Sequence, residues 1–199
     1  MVRFFKDAVK LMTSTDLAAF DISQENEKMV ELYGKHKFGQ GCMLARRLVE
    51  KGVRYVEVNL SGWDNHRAIY DTFPDKSGML DQGMGALIKD LSSRGLLDST
   101  LIVLATEFGR TPVINQNNGR DHYPKAFTCL LAGGGIKGGQ TYGKTDVGGK
   151  NVIENKVKVQ DFNATIAYSL GLPIDKILHS PGGRPFQVAH RGKPLTSLF

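Results

Sequence analysis

Thr100-Leu101-Ile102-Val103-Leu104-Ala105 is the stretch on which the fold turns. Every position after the threonine is apolar. A short apolar run bounded by polar sequence reads as a strand buried on both faces, as in a parallel sheet. Upstream, Leu80, Met84, Leu87, Ile88 and Leu91 recur at helical spacing and stop near Gly95. Before them, Val53 to Leu60 is a β-type run, followed by a polar and aromatic loop from Ser61 to Asp75. Phe38, Cys42, Ala45 and Val49 mark a helix over 38–51 that Gly52 stops. Downstream, Thr106 to Lys125 reads as a long polar loop and Ala126 to Ala132 as a third strand. Asp161 reads as the cap of a helix running to Leu170, closed by Gly171 and Pro173. Residues 1–37 read as a helical N-terminal extension, with a helix start at Asp21-Ile22-Ser23-Gln24-Glu25. The tail from Pro181 reads as irregular. This order of elements predicts an α/β fold, helices covering the faces of a mainly parallel sheet, with ligands bound at the carboxyl ends of the strands.

The chain has 199 residues, 26 Lys and Arg, and 20 Asp and Glu, for a formal net charge of +6. The whole excess lies in residues 101–199, which hold 12 basic and 6 acidic side chains. The basic residues are scattered and not interleaved with aromatics, so they predict no nucleic-acid partner and fit a rim around an anionic ligand. No apolar run is long enough to span a bilayer, and residues 1–10 lack the apolar core of a signal peptide. Cys42 and Cys129 have no metal-site spacing, and Cys129 lies in the apolar run Phe127-Thr128-Cys129-Leu130-Leu131, which reads as a buried thiol. Glycine is abundant, at 23 residues.

Two loops that follow strands concentrate the chemistry. The first reads Gly62-Trp63-Asp64-Asn65-His66 and offers a carboxylate and an imidazole two residues apart. The second opens Thr106-Glu107-Phe108-Gly109-Arg110-Thr111-Pro112 and closes Gly119-Arg120-Asp121-His122-Tyr123-Pro124. Asp64, His66, Glu107, Asp121 and His122 form a mixed oxygen and nitrogen set suited to Zn, Mn or Fe. Such ions polarise ester oxygens and activate nucleophiles. Arg110 and Arg120 offer planar forks for phosphate or sulfate oxygens, and Trp63 is a candidate stacking surface. Taken one at a time, each of these groups reads equally well as a turn, a cap or a structural pair. His36, His179 and His190 have no local partners and read as surface or structural.

Gly138-Gly139-Gln140-Thr141-Tyr142-Gly143-Lys144-Thr145 fits the phosphate-binding pattern G-x-x-x-x-G-K-[ST]. That pattern works only between a strand and a helix, whose first amides cradle the phosphates. Neither flank, Gly133 to Lys137 or Asp146 to Lys150, supports one, so this segment reads as a glycine-rich hairpin or flap.

Gly-Trp-Asp-Asn-His, Glu-Phe-Gly-Arg-Thr-Pro and Gly-Arg-Asp-His, in that order, resemble the bacterial domain of unknown function 1501 family. Phe38-Gly39-Gln40, Leu44 to Glu50, Ala132 to Gly139 and Gly183-Arg184-Pro185 are similar to it as well. The resemblance implies an alkaline phosphatase-like architecture, a three-layer αβα sandwich shared with sulfatases and phosphodiesterases, here as a single domain over 1–199. By that resemblance Asp64, His66 and His122 serve one divalent ion (Zn, Mn or Ca) and Glu107 belongs to a second. Glu107-Phe108-Gly109 stands where that superfamily usually has Asp-His-Gly, and no nucleophile beside a further metal-binding Asp is recognisable. Members of the family are longer and often begin with an export signal, so the chain resembles their C-terminal half, with a separate front half or a second copy as an expected associate. The implied activity is metal-dependent hydrolysis of small anionic phosphate or sulfate esters at an exported location. The alternative is a non-catalytic, metal-dependent binding or structural protein.

Overall fold

Helix α3 (Lys37–Glu50) anchors the first half of the chain, and its sequence explains both of its ends. His36 caps it, Nδ1 accepting the Gly39 N–H at 3.0 Å. It ends where the Gly52 and Val53 N–H groups return to the carbonyls of Val49 and Leu48. These bounds match the helix expected over 38–51. In the computed structural model, residues 2–199 are described. The chain divides into two units, Met1–Asp64 with Asp71–Arg94, and Asn65–Tyr70 with Gly95–Phe199.

The first unit is helical. The expected extension over 1–37 comprises α1 (Val2–Met12), two 3-10 turns (Thr15–Phe20 and Ile22–Gln24) and α2 (Glu27–Tyr33). Asp21 caps the second 3-10 turn by accepting the Ser23 N–H, and Asn26 caps α2 through the Met29 N–H. Tyr33, Cys42, Met43 and Ala86 form the core, with Met29, Val30, Phe38, Val58 and Leu87 packed around them. A buried ionic network lies beside that core. Arg46, 2% exposed, reaches Glu25 at 2.8 Å, Glu50 at 2.9 Å and Asp90 at 2.9 Å. Asp90 also accepts from the Tyr33 hydroxyl and from Arg94 Nε.

Two sequence expectations for this unit are corrected. Val53 to Leu60 forms no strand. Its period-two burial survives: Val56, Val58 and Leu60 are half-buried while the odd positions are exposed. The alternation was sound, but no neighbouring strand supplies ladder partners. Helix α4 (Ile69–Ser93) is longer than the apolar spacing implied, absorbing the second half of the expected 61–75 loop, and carries Pro74 in its early turns. A proline there forfeits one backbone hydrogen bond that the rest of a 25-residue helix outweighs.

The second unit overturns the expected sheet. Among the described residues the strands form four separate two-stranded ribbons, and every pairing is antiparallel. There is therefore no mainly parallel sheet and no three-layer αβα sandwich. The decisive run yields β1 (Ile102–Leu104), which pairs with β4 (Leu130–Ala132). Parallel pairing needs a long crossover, usually a helix. Residues 105–129 supply a loop carrying only β2 (Gly109–Arg110) and β3 (His122–Tyr123), so the chain returns antiparallel. Val103 is 38% and Leu130 41% exposed, so the apolar run is covered on one side only.

Beyond β4, β5 (Lys144–Thr145) and β6 (Val152–Glu154) make a hairpin that takes in the end of the phosphate-loop look-alike; Lys144 and Thr145 lie in a strand and no helix follows. Helix α5 (Val159–Ser169) begins at Lys158, so Asp161 is not its cap. Instead Asp161 lies in the first turn and its Oδ1 accepts the Lys193 N–H at 2.8 Å. Thr165, fully buried, accepts the Leu195 N–H at 3.0 Å. These two bonds tie the C-terminal segment to α5. The tail is more ordered than expected, holding β7 (Ile177–His179) and β8 (Pro185–Gln187) as a hairpin. No described helix is long and apolar enough to cross a membrane.

Candidate functional site

The β2–β3 ribbon assembles the second unit's cluster. Its register sets Arg110 opposite His122, and Thr111 N–H donates to the Asp121 carbonyl at 2.9 Å. The segment carrying His66 is held against this ribbon by its backbone. Arg120 N–H donates to the Asn65 carbonyl at 2.9 Å, and Ala68 and Ile69 N–H donate to the carbonyls of Asn117 and Asn118. Gly119 is what permits the approach: a Cβ there would overlap the His66 carbonyl group.

Asn115 organises the turn between the two strands. Its Oδ1 accepts the N–H groups of Asn117 and Gly119, and its Nδ2 donates to the His66 carbonyl at 3.0 Å and to Asp121 Oδ1 at 3.1 Å. The polar turn Asn115-Gln116-Asn117-Asn118-Gly119 is its one usable signal in the sequence, since asparagine side chains mimic backbone turns.

The side chains then meet. His66 Nδ1 lies 2.8 Å from Asp121 Oδ1, and His66 Nε2 lies 3.1 Å from His122 Nε2. The two imidazole centroids are 4.8 Å apart, and the Phe108 ring lies 4.6 Å from that of His122. The hydrogen bonds from His66 and Asn115 hold the Asp121 carboxyl below its ordinary value. With Nδ1 engaged by Asp121, Nε2 is the ring nitrogen through which His66 would bind an ion. Asp64, adjacent in sequence to this unit, offers a carboxylate oxygen. The ligand atoms of Asp64, His66 and His122 all lie within 4.8 Å of one another.

The remaining candidates fall elsewhere. Among the described residues, the three-ligand group does not include Glu107, which is exposed. Asp121 supports His66 instead of joining that group. Arg120 spends its Nη1 on the carbonyls of Thr111 at 2.5 Å and Pro112 at 2.6 Å, so its fork ties the loop together. Arg110 is half-buried, its guanidinium carbon 6.0 Å from the Phe108 ring centre. In the first unit Trp63 packs edge-on against Phe73 at 5.7 Å. Cys42 is buried and Cys129 only half-buried; both are free thiols.

A metal fits this donor set. A tetrahedral ion about 2.0–2.1 Å from two imidazole nitrogens spaces them roughly 3.3 Å apart, close to the 3.1 Å between the two Nε2 atoms. The Asp121–His66 bond is the outer-shell contact that metal-ligating histidines usually make.

The family model described as protein of unknown function (DUF1501) matches residues 1–199, and the chain belongs to that family. No curated protein and no solved structure matches it.

Proposed function

Membership in this family names no reaction, and from the loop geometry we propose that the chain binds a divalent metal through His66 and His122, with Asp64 as third ligand, and acts on phosphate or sulfate esters. The single observation that carries the metal reading is the opposition of the two Nε2 atoms at 3.1 Å with His66 Nδ1 pinned by Asp121. The ester reading rests on resemblance alone: Glu107-Phe108-Gly109 after an apolar strand looks like the second metal loop of alkaline phosphatase-like hydrolases. When bound, a metal here would act as a Lewis acid toward an ester oxygen.

The chain's own residues divide the remaining work. Asp121 fixes the tautomer and the ring plane of His66, and Asn115 fixes Asp121. Phe108 packs against the His122 ring, 4.6 Å between centroids. Arg110, opposite His122 in the ribbon's register, is the candidate contact for an anionic ester. No residue is assigned as nucleophile.

A second reading, metal binding without catalysis, is favoured by Arg120, whose Nη1 is held by two backbone carbonyls. Zinc and manganese titrations combined with turnover of aryl phosphate and aryl sulfate separate the two. Stoichiometric metal, with turnover that His122→Ala abolishes, supports the hydrolase. Metal binding without turnover supports the second reading. Absence of binding overturns both.

A further inference from the structure

The first unit holds a cavity of about 350 Å³ that no part of the metal reading uses. Its size lies within the range of small-molecule sites. Lys37 and Lys76 are among its lining residues, with His36, Asn59 and Ser61, and no acidic residue is. Phe38, Leu60 and Met79 give it an apolar wall.

Lys76 is held in place. Its Nζ donates to the Ser61 carbonyl at 3.2 Å, which uses one of its three N–H donors. Gly62, at φ +88°, makes that reach possible: a Cβ there would lie 2.5 Å from Nζ. The neighbouring His36 commits Nδ1 to the Gly39 N–H, which leaves its ring proton on Nε2. The lining is thus rich in donors, doubly cationic and flanked by apolar surface.

We propose that this cavity binds a small organic ester bearing a tetrahedral oxyanion, with the oxyanion between Lys37 and Lys76 and the organic group against Phe38, Leu60 and Met79. A multi-oxygen anion accepts from two ammonium groups at once, and the apolar wall rewards an organic substituent over the inorganic ion. The site lies wholly in the first unit and does not depend on metal at His66 and His122.

Titration calorimetry of the full chain in EDTA and low salt tests it, with phenyl phosphate, phenyl sulfate, inorganic phosphate and phenol as probes. Chelation makes failure here distinct from failure of the metal reading. Saturable one-to-one binding of a phenyl ester is expected, weakened about tenfold by Lys76→Gln and by Lys37→Gln. Phe38→Ala should weaken the phenyl esters and leave inorganic phosphate unchanged. The preference between phenyl phosphate and phenyl sulfate identifies the oxyanion. Lys37 is exposed, so its variant keeps the test decisive if Lys76→Gln fails to fold. Absence of saturation up to about 10 mM, phenol binding as tightly as the esters, or unchanged affinity in Lys37→Gln would overturn the proposal.

Discussion

Replacing Arg46 by Met removes the one cation that three acidic side chains share. Arg46 is 2% exposed, and its partners Glu25, Glu50 and Asp90 lie 2.8–2.9 Å away. Methionine fills comparable space without a cavity, so the loss is electrostatic. Breaking a buried pair from one side costs about 3–5 kcal/mol. Each carboxylate, however, retains another donor. Asp90 keeps Tyr33 and Arg94, Glu50 keeps Arg94, and Glu25 keeps Arg47. The expected loss is therefore at the lower end, about 3 kcal/mol.

The same network sets the pH dependence. Burial alone would raise the Glu25 carboxyl, but hydrogen bonds from Arg47 and Arg46 together win and lower it from 4.5. A carboxyl depressed in the folded state stabilises it above the unfolded value, and that stabilisation fades as pH falls through the folded one. The Arg46→Met penalty should accordingly be full at pH 7 and shrink below about pH 4.5. Urea denaturation followed by far-UV circular dichroism at pH 7 and pH 4 measures both values. A variant within about 1 kcal/mol of wild type at pH 7, or a penalty that grows on acidification, would refute the reasoning.

Three further outcomes follow from the same structure. Burial pushes the Cys42 thiol up to about 12 and raises Cys129 less, so a thiol reagent at pH 8 should label Cys129 alone, and Cys129→Ser should abolish native labelling. Gly119→Ala should disrupt the packing of the His66 segment on the ribbon and lower zinc affinity at least tenfold, read by competition with a chromogenic chelator. Asp121→Asn should weaken zinc binding by roughly 10–100-fold without abolishing it, whereas His66→Ala should abolish it, the difference expected between a supporting residue and a ligand.

The site was more legible in the sequence than the fold. His66, Asp121 and His122 stand in polar loops that the sequence shows directly, whereas what brings His66 to His122 is long-range: backbone bonds between 117–120 and 65–69 and the close approach at Gly119. Asp121 had an open role there, and only the 2.8 Å contact with His66 identifies it as the support. The parallel sheet failed for a non-local reason. Residues 100–105 carry an unbroken apolar run and 53–60 a β-type run, but neither pattern names a partner, and antiparallel return or no partner at all satisfies both. Arg46 was invisible for a related reason: an arginine on a helix reads as solvated until Glu25 and Asp90, distant in sequence, are found beside it. His36 reads from sequence as surface or structural, and its structural role is the cap of α3, a position where Ser, Thr, Asp or Asn is commoner.

The zinc-edge X-ray absorption spectrum of the metal-loaded protein tests the central claim most directly. Two imidazole nitrogens about 2.0–2.1 Å from the ion are expected, with the outer-ring scattering that identifies histidine, and loss of one of them in His122→Ala. A spectrum with no imidazole scattering, or one that His122→Ala leaves unchanged, would contradict it.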